Sequence, residues 1–236
     1  IYWAYYCFGY ASEHVGVYYA YFFLAYAATM MVIHVWLVHS NPGVLKVNKT
    51  ADAKDFIDEI ERGHDPSPIC SSCLTRKPLR CKHDSVTNQC VIRFDHYCVW
   101  IFNVVGNDNH LPFMIMLFMC ASAHIWSLFA FLPVFFSFLP SPWTWGDLAG
   151  LLGYDYMLTY IIGFQMINGL WETILFIQQA NMVMSNVTMN ELMNWQHYPH
   201  FWKGGNAQDF QNPFDKGFQN NIRRFIAQSR VRDLYH

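Results

Sequence analysis

Long apolar runs alternate with polar segments along this chain. Three of these runs extend from about Val17 to Val38, from about Leu111 to Phe135 and from about Tyr156 to Gln179. A helix that crosses a bilayer needs about 20 apolar residues, so each run predicts one membrane-spanning helix. The opening stretch, IYWAYYCFGYA, is also apolar, and we expect it to be the end of a further span.

The composition and the placement of charge support this division. The chain has 236 residues, of which 53% are hydrophobic and only 14% are charged, whereas soluble domains carry about 25% charged residues. All 15 lysines and arginines lie either between the first and second runs or after the third run. Because cytosolic segments of membrane proteins carry the excess of basic residues, we predict that residues 40–110 and the C-terminal tail face the cytosol.

The tail has the pattern of an amphipathic helix. Asn212 can cap such a helix, and Pro213 suits the first helical position. The apolar residues fall on one side and basic residues occupy the remainder, as expected of a helix on an anionic membrane surface. The apolar positions are Phe214, Phe218, Ile222, Phe225 and Ile226.

Five of the seven cysteines cluster in the predicted cytosolic segment. Cytosolic thiols stay reduced, so such a cluster favours metal binding or catalysis over disulfides. Cys70 and Cys73 form a C-x2-C pair, and His83 and Cys90 can complete a tetrahedral site of three cysteines and one histidine. Cys81 is a competing ligand, and a set of unrelated thiols is the alternative to any metal site.

The stretch RFDHYCVW places a carboxylate, an imidazole and a thiol close together. His96 and Cys98 are two residues apart, so an extended backbone presents both side chains on one face. Asp95 could orient the imidazole, which would then activate the thiol as a nucleophile. A thiol beside a membrane span suits acyl transfer through a thioester, although His-x-Cys pairs also occur in metal sites.

These candidates belong to a longer series of motifs. Asn-Pro-Gly stands at 41–43, Thr-Met-Asn-Glu at 188–191 and Asn-Pro-Phe at 212–214. The series within residues 70–113 comprises Cys70, Cys73, Arg76-Lys77-Pro78-Leu79-Arg80, His83, Cys90, Asp95-His96-Tyr97-Cys98, Trp100, Asn103, Gly106, Asn109 and Phe113. In kind and order, these motifs resemble those of the DHHC family of membrane protein S-acyltransferases, the palmitoyltransferases.

The resemblance implies a protein S-palmitoyltransferase. Cys98 would be the nucleophile that takes the acyl chain from palmitoyl-CoA, and His96 would be the general base, held by Asp95. The acyl chain would then pass from the Cys98 thioester to a cysteine of a cytosolic or peripheral membrane protein. The metal would be a structural zinc ion, bound by Cys70, Cys73, His83 and Cys90.

The same resemblance assigns binding and structural positions. Lys77, Arg80 and Lys82 align with basic positions that meet the coenzyme A phosphates in the family, although ordinary positive-inside charge explains them equally well. Six residues occupy structural motif positions, and two of them, Thr188 and Glu191, also fit a helix capping box. These six are Thr188, Glu191, Asn212, Asn221, Trp100 and Asn103.

The chain departs from the family at the second zinc site. Family members bind two zinc ions, and the second ligand set would fall on Asp84, Thr87, Tyr97 and Val104. None of these residues is a thiol or an imidazole. We therefore expect one zinc ion, and we interpret Tyr97 as a replaced metal ligand rather than a damaged catalytic residue.

The Asp-His-Tyr-Cys variant resembles the ankyrin-repeat-bearing subgroup found in fungi. We accordingly expect ankyrin repeats and further spans to precede this sequence in the complete protein. The expected location is the endomembrane system, in particular the Golgi. The expected partners are substrate proteins with acceptor cysteines, palmitoyl-CoA and the lipid bilayer, but no nucleic acid.

The predicted fold is an all-α integral membrane protein, a transmembrane helix bundle with a small cytosolic zinc-binding cysteine-rich domain. Residues 1–39 would hold a partial first span and a second transmembrane helix, and residues 40–110 the cysteine-rich catalytic domain. Residues 111–182 would form two transmembrane helices with a short lumenal loop, and residues 183–236 the cytosolic tail.

Two alternatives and one unusual residue accompany this prediction. A non-catalytic zinc-containing membrane adaptor or scaffold is the main alternative function. A transporter is disfavoured, because the predicted spans contain few ionisable residues. Glu172 is an acid within the third run, and we expect it to bond to Gln165 or Asn168 on an adjacent turn.

Overall fold

The computed structural model describes most of the chain. The described residues are 16–46, 69–137, 144–154 and 156–228, together with 13, 54, 57, 58, 61, 62 and 142. The predicted partial span at the start of the chain lies outside them. The chain divides into two compact units, one formed by residues 1–33 and 115–177 and the other by residues 34–114 and 178–236.

Three long helices correspond to the three predicted spans. They are α1 (Val17–His39), α2 (His110–Ser137) and α4 (Tyr156–Met184), and a short helix, α3 (Trp145–Tyr154), precedes α4. Each long helix is long and apolar enough to cross a membrane. Few of the α1 side chains are buried within the protein, so this helix exposes a large apolar surface. The prediction of helices in these three runs is confirmed.

Aromatic and polar side chains join α1 to α2 within the first unit. The Tyr26 hydroxyl lies 2.7 Å from the Ser122 hydroxyl. The rings of Phe22 and Trp126 pack edge-to-face with centroids 5.2 Å apart. Such contacts give two apolar helices a defined register, which apolar packing alone specifies only weakly in lipid.

Glu172 on α4 has a different partner from the predicted one. Nε2 of His124 on α2 lies 3.3 Å from a Glu172 carboxylate oxygen, and His124 Nδ1 contacts the Gln165 amide oxygen. Asn168 donates instead to the Phe164 carbonyl of its own helix. The prediction of a partner on an adjacent turn was wrong because α2 supplies an imidazole that is remote in sequence.

The second unit contains sheet that the all-α prediction missed. Its cysteine-rich part has three antiparallel hairpins: β1 (Ile69–Cys70) with β2 (Thr75–Arg76), β3 (Lys82–Asp84) with β4 (Gln89–Val91), and β5 (His96–Cys98) with β6 (Asn103–Val105). A fourth hairpin pairs β7 (Trp202–Lys203) with β8 (Asn206–Phe210). The prediction was wrong because strands of two to five residues are too short for the alternation that reveals strands in sequence.

A small apolar cluster forms the core of the second and third hairpins. Val91 and Val104 are completely buried, Phe94 is nearly so, and Val44 and Tyr97 pack against them. An isolated bridge joins Val44 to Val91 and so attaches the segment after α1 to these hairpins. Burial of each large apolar side chain contributes about 1.5–3 kcal/mol, so a few residues suffice to hold hairpins this short.

Gly106 lies where two backbone segments approach each other closely. A Cβ atom at this position would lie 2.4 Å from the Pro42 carbonyl oxygen and 2.6 Å from Val91 Cγ1. The Asn109 side chain secures the same turn, because its Oδ1 accepts from the Gly106 N–H and its Nδ2 donates to the Val104 carbonyl. The position therefore requires glycine for space.

The chain after α4 folds into a compact C-terminal part. Helix α5 (Met189–Asn194) begins at a capping box formed by Thr188 and Glu191. Two 3-10 turns follow, at Trp195–His197 and Pro199–Phe201. The buried core of this part comprises Met182, Val187 and Phe201.

The amphipathic tail helix begins later than predicted. Helix α6 (Phe218–Gln228) starts six residues after Asn212, whose side chain instead accepts a hydrogen bond from the backbone two residues on. Gly217, just before the helix, has a φ of 83°, which no helical residue adopts. The side of α6 that faces the protein carries the buried Asn221 and Phe225.

We predict that Gly106→Ala destabilises the second unit, because the new methyl group would overlap the Pro42 carbonyl. The expected loss is roughly 1–3 kcal/mol, measured as a lower midpoint of thermal unfolding in detergent. Gly163→Ala is the matched control, since a Cβ at Gly163 meets nothing within 4 Å. Equal midpoints for the two variants would contradict the packing constraint.

Candidate active site and metal centre

The four predicted metal ligands lie together on the first two hairpins. Cys70 ends β1 and Cys73 lies in the turn that leads to β2, while His83 and Cys90 face each other across the β3–β4 pair. Their ligand atoms all lie within 4.8 Å of one another. His83 Nδ1 is 3.3 Å from the Cys73 sulfur and 3.9 Å from the Cys90 sulfur.

The chemistry of this cluster fits a metal ion. Burial, together with the neighbouring sulfurs of Cys90 and Cys70, raises the pKa of the Cys73 thiol to about 12. Crowded thiols of this kind ionise when a cation replaces their protons. Three sulfurs and one imidazole nitrogen are the donor set of a closed tetrahedral zinc site. The residues therefore fit the metal that the sequence predicted.

Cys81 lies beside this cluster but outside it. Its thiol contacts the Cys90 thiol, yet its sulfur does not belong to the group of four ligand atoms. From the sequence alone, Cys81 was a possible alternative to His83 as the fourth ligand. The geometry favours His83 in the fourth position, because His83 and Cys90 are direct partners across the hairpin.

The four positions where the family's second ligand set would fall serve other purposes in this chain. The Asp84 carboxylate accepts hydrogen bonds from the backbone N–H and the hydroxyl of Thr87, both at 2.8 Å, and so closes the β3–β4 turn. Val104 and Tyr97 belong to the apolar cluster. A hydrogen-bonded turn and apolar packing thus occupy the positions where a second ligand set would fall, and the described residues contain one candidate metal cluster.

Asp95, His96 and Cys98 lie in contact at the start of the third hairpin. The His96 Nδ1 and an Asp95 carboxylate oxygen are 2.7 Å apart. Cys98 hydrogen-bonds to His96 and also accepts from the backbone N–H groups of Ile101 and Trp100. The alternation of β5 places His96 and Cys98 on one face, as the spacing predicted.

Asp95 is fixed by several donors. It is 1% exposed, and its Oδ1 accepts from the Met189 N–H at 2.8 Å. The Asn190 N–H donates to the backbone carbonyl of Asp95. The Gln179 amide nitrogen donates to Oδ2 at 3.1 Å. The carboxylate is therefore held at the beginning of α5 and presented to His96.

The charges of these groups suit an activated thiol. Burial raises the pKa of Asp95, but His110, His96 and the Met189 N–H outweigh burial and hold that pKa well below its usual range. Burial lowers the pKa of His96, but the bonds to Asp95 and Cys98 raise it to about 9. Burial likewise opposes ionisation of Cys98, yet His96 lowers its pKa overall. These opposite shifts favour a thiolate–imidazolium pair over the neutral thiol and imidazole.

Thr188 and Glu191 join the two hairpins that carry the metal ligands (the metal hairpins) to Asp95, His96 and Cys98 (the proposed catalytic group). The Glu191 carboxylate accepts from Arg80 Nε at 2.6 Å and from Arg80 Nη2 at 2.7 Å. It also accepts from the Thr188 N–H in the capping box. Helix α5 is thus anchored at one side to Arg80 and at the other to Asp95.

The three predicted coenzyme A residues border one cavity of about 690 Å³. Arg80 is committed to Glu191 and Asn186, and Lys82 donates to the Asn190 side chain at 2.7 Å. Lys77 is the third basic residue of the lining. The lining also includes Asn190, Glu191, His197, Tyr198, Pro199 and His200.

The remaining motif residues tie segments of the second unit together. Asn103 donates to the Leu37 and Ser40 carbonyls, both at 2.9 Å. It thus provides a hydrogen-bond donor for carbonyl groups at the C-terminal end of α1. Asn221 donates to the Met184 carbonyl at the end of α4. The other two differ: Trp100 is exposed at the turn of the third hairpin, whereas Asn212 donates to the Ser185 carbonyl.

The sequence did not identify Gln179 and His110 as part of the site. Gln179 marked only the end of the third apolar run, and His110 adjoined the start of the second. Both are buried, and His110 Nε2 lies 3.3 Å from the Gln179 amide oxygen. The available signal was a polar residue inside an apolar helix, which calls for a partner.

Known proteins share this series of motifs. A sequence model of the family described as DHHC palmitoyltransferase matches residues 63–196, more than half of the chain. The chain belongs to this family. The predicted DHHC resemblance is confirmed, and the fold and the metal-ligand cluster described above are those of a family member.

Three relatives illustrate the similarity. Palmitoyltransferase ZDHHC17 of Danio rerio is 29% identical over 193 residues, covering 79% of this chain and 31% of the relative. Palmitoyltransferase Hip14 of Drosophila melanogaster is 32% identical over 202 residues, covering 80% and 30%. Palmitoyltransferase AKR1 of Mortierella alpina is 32% identical over 193 residues, covering 77% and 34%.

The matches concern one part of longer proteins. The chain spans about a third of the length of the curated relatives it matches. These relatives come from animals as well as from Mortierella alpina, and they support the predicted subgroup of DHHC-type S-acyltransferases.

We predict one zinc ion per purified chain, measured by elemental analysis of the detergent-solubilised protein. Cys73→Ser should lose the metal, because a serine hydroxyl is a poor zinc ligand. Cys81→Ser is the matched control and should retain it, since Cys81 lies outside the ligand group. Two zinc ions per chain would contradict the account of positions 84, 87, 97 and 104.

We also predict that iodoacetamide alkylates Cys98 rapidly at neutral pH. The rate should rise as pH increases through the lowered pKa of Cys98, and should inflect again near pH 9, where His96 loses its proton. His96→Gln should raise the pKa of Cys98 and slow neutral-pH alkylation by roughly tenfold.

His39→Gln is the control for that experiment, because His39 is exposed at the end of α1. Cys98→Ser supplies the background from the other cysteines, measured by mass spectrometry of the modified peptides. An unchanged pH profile in His96→Gln would contradict the thiolate–imidazolium pair.

Proposed function

We propose that this chain is the catalytic part of a protein S-acyltransferase. It transfers a palmitoyl chain from palmitoyl-CoA, through a thioester on Cys98, to cysteines of cytosolic or peripheral membrane proteins. The observation that carries the proposal is the buried hydrogen-bonded series from Asp95 through His96 to Cys98. Membership of the DHHC palmitoyltransferase family supports the same reaction class.

In the first step, the Cys98 thiolate attacks the thioester carbonyl carbon of palmitoyl-CoA. A carbon–sulfur bond to Cys98 forms, the bond to the coenzyme A sulfur breaks, and the leaving thiolate takes the proton from the His96 imidazolium. The hydrogen bond between His96 and Asp95 keeps that proton donor oriented. The lowered pKa of Cys98 favours the thiolate, which is the attacking nucleophile.

In the second step, neutral His96 accepts the proton of the incoming substrate thiol. The resulting thiolate attacks the acyl carbon, and the Cys98 thiolate leaves as the product thioester forms. The leaving sulfur regains its hydrogen bonds from the Trp100 and Ile101 N–H groups. Each step therefore ends with the charges needed for the next.

The cavity beside Lys77 and Lys82 would receive the coenzyme A phosphates. Its volume of about 690 Å³ and its basic lining support this role. Arg80 already makes a two-point ion pair with Glu191, so we assign it to shaping the cavity wall while the two lysines meet the phosphates.

A zinc ion held by Cys70, Cys73, His83 and Cys90 would crosslink the first two hairpins. Its chemistry would be structural, because three thiolates and one imidazole complete a closed coordination shell. The ion would stabilise a segment whose strands are too short to form a large apolar core.

We propose that the three long helices cross an endomembrane, in particular that of the Golgi. Residues 40–110 and 183–236 would face the cytosol, because they carry all the lysines and arginines. Residues 1–39 and 111–182 would supply the spans. Ankyrin repeats and further spans would precede the chain, and substrate proteins would approach from the cytosol.

Labelling with an alkyne analogue of palmitoyl-CoA tests the function. We expect a hydroxylamine-sensitive adduct on the wild-type protein, its loss in Cys98→Ser and its retention in the control Cys7→Ser. Label that persists in Cys98→Ser would refute the assignment of the nucleophile. No adduct on the folded, zinc-loaded wild type would favour the non-catalytic adaptor instead.

A further inference from the structure

A chain of buried side chains continues the catalytic group beyond Asp95. The Asp95 Oδ2 atom accepts two hydrogen bonds, one from His96 at 2.7 Å and one from the Gln179 amide nitrogen at 3.1 Å. On the far side of Gln179, its amide oxygen lies 3.3 Å from His110 Nε2. Gln179 is 5% exposed and His110 is 2% exposed, so water does not compete for these bonds.

The protons of this chain have one consistent arrangement. His110 Nδ1 is buried and has no hydrogen-bond partner among the described residues. An amide oxygen only accepts, so His110 carries a proton on Nε2 and donates it to the Gln179 oxygen whatever the charge of the ring. That bond fixes the orientation of the amide, which must then present its NH2 group to Asp95.

The surroundings of His110 hold it in this place. Its ring packs edge-to-face on Phe225 of α6, with centroids 5.1 Å apart at 89°. Arg93 lies over the same Phe225 ring. The titratable groups that face Gln179 directly are Asp95 and His110, with His96 beyond Asp95 and the permanently charged Arg93 beyond His110.

We propose that Gln179 is a positioning residue for the acyl transfer, which holds the Asp95 carboxylate in the rotamer that orients His96. This inference rests on the proposed function. With both ends of the amide occupied, Asp95 Oδ2 stays directed at His96 Nδ1, and His96 Nε2 stays directed at the thiol. Without the amide, the carboxylate loses a donor and can rotate away from the imidazole.

The adjacent residue supplies a close comparison. Gln178 is also on α4 but is exposed, and among the described residues no hydrogen bond links it to Asp95, His96 or Cys98. Gln178→Leu and Gln179→Leu therefore make the same chemical change one residue apart. Only the second removes a donor from Asp95.

The test measures the rate of acyl-enzyme formation on Cys98 in the full chain. Gln179→Leu should slow it roughly 10- to 100-fold, as expected when an oriented catalytic group is released, whereas Gln178→Leu should match the wild type. Retained zinc and a thermal midpoint near that of Gln178→Leu would show that the slow variant is folded.

Gln179→Glu adds a second measurement, the pH dependence of the rate relative to wild type. This dependence would not change if Gln179 had a purely structural role. The carboxyl group that this substitution introduces can, when protonated, donate to Asp95 and accept from His110, as the amide does. Its ionised form instead places two carboxylates in contact. The rate of the variant relative to wild type should therefore fall as pH rises, since ionisation removes the donor and the like charges repel.

The outcomes separate the inference from the proposed function. A wild-type rate in folded Gln179→Leu, or a Gln179→Glu to wild-type ratio that is independent of pH, would overturn the positioning role while leaving the acyltransferase assignment intact. Absence of an acyl-enzyme in the wild type would refute the function itself.

Discussion

Burial of the Asp95 carboxylate is the constraint on which the catalytic unit depends. A charge that is 1% exposed is stable only when donors surround it. Those donors arrive from separate segments: His96 from the same hairpin, Gln179 from the end of α4 and the Met189 N–H from the start of α5. The contacts that assemble the unit are therefore the contacts that orient His96.

A second buried charge connects the metal hairpins to this arrangement. Arg80 follows the first hairpin in sequence and pairs with Glu191, whose carboxylate also caps α5. Removal of one member of a buried pair costs about 3–5 kcal/mol, because the remaining charge is left without compensation. Helix α5 thus transmits the position of the metal hairpins to Asp95. The apolar cluster around Val104 adds stability to the second and third hairpins.

Features that depend on neighbouring residues were predicted from the sequence. Features that depend on single turns or on contacts between remote segments were not. The three long helices were predictable because an apolar run of about 20 residues is itself the signal. The short strands were missed, and α6 begins at Phe218 rather than near Asn212, because single turns decide these boundaries. Glu172 pairs with His124 on another helix, and no pattern within one run can reveal such a partner.

The sequence by itself determined the apolar helices, the identity of the family, and the candidate ligand and catalytic residues. These properties reside in residue type and local spacing, as in the two-residue separation of His96 and Cys98. Only the tertiary structure decided that Gln179 reaches Asp95, that Arg80 is bound to Glu191, and that Val104 belongs to an apolar core. Each of those contacts joins segments remote in sequence, and burial away from water gives it its strength.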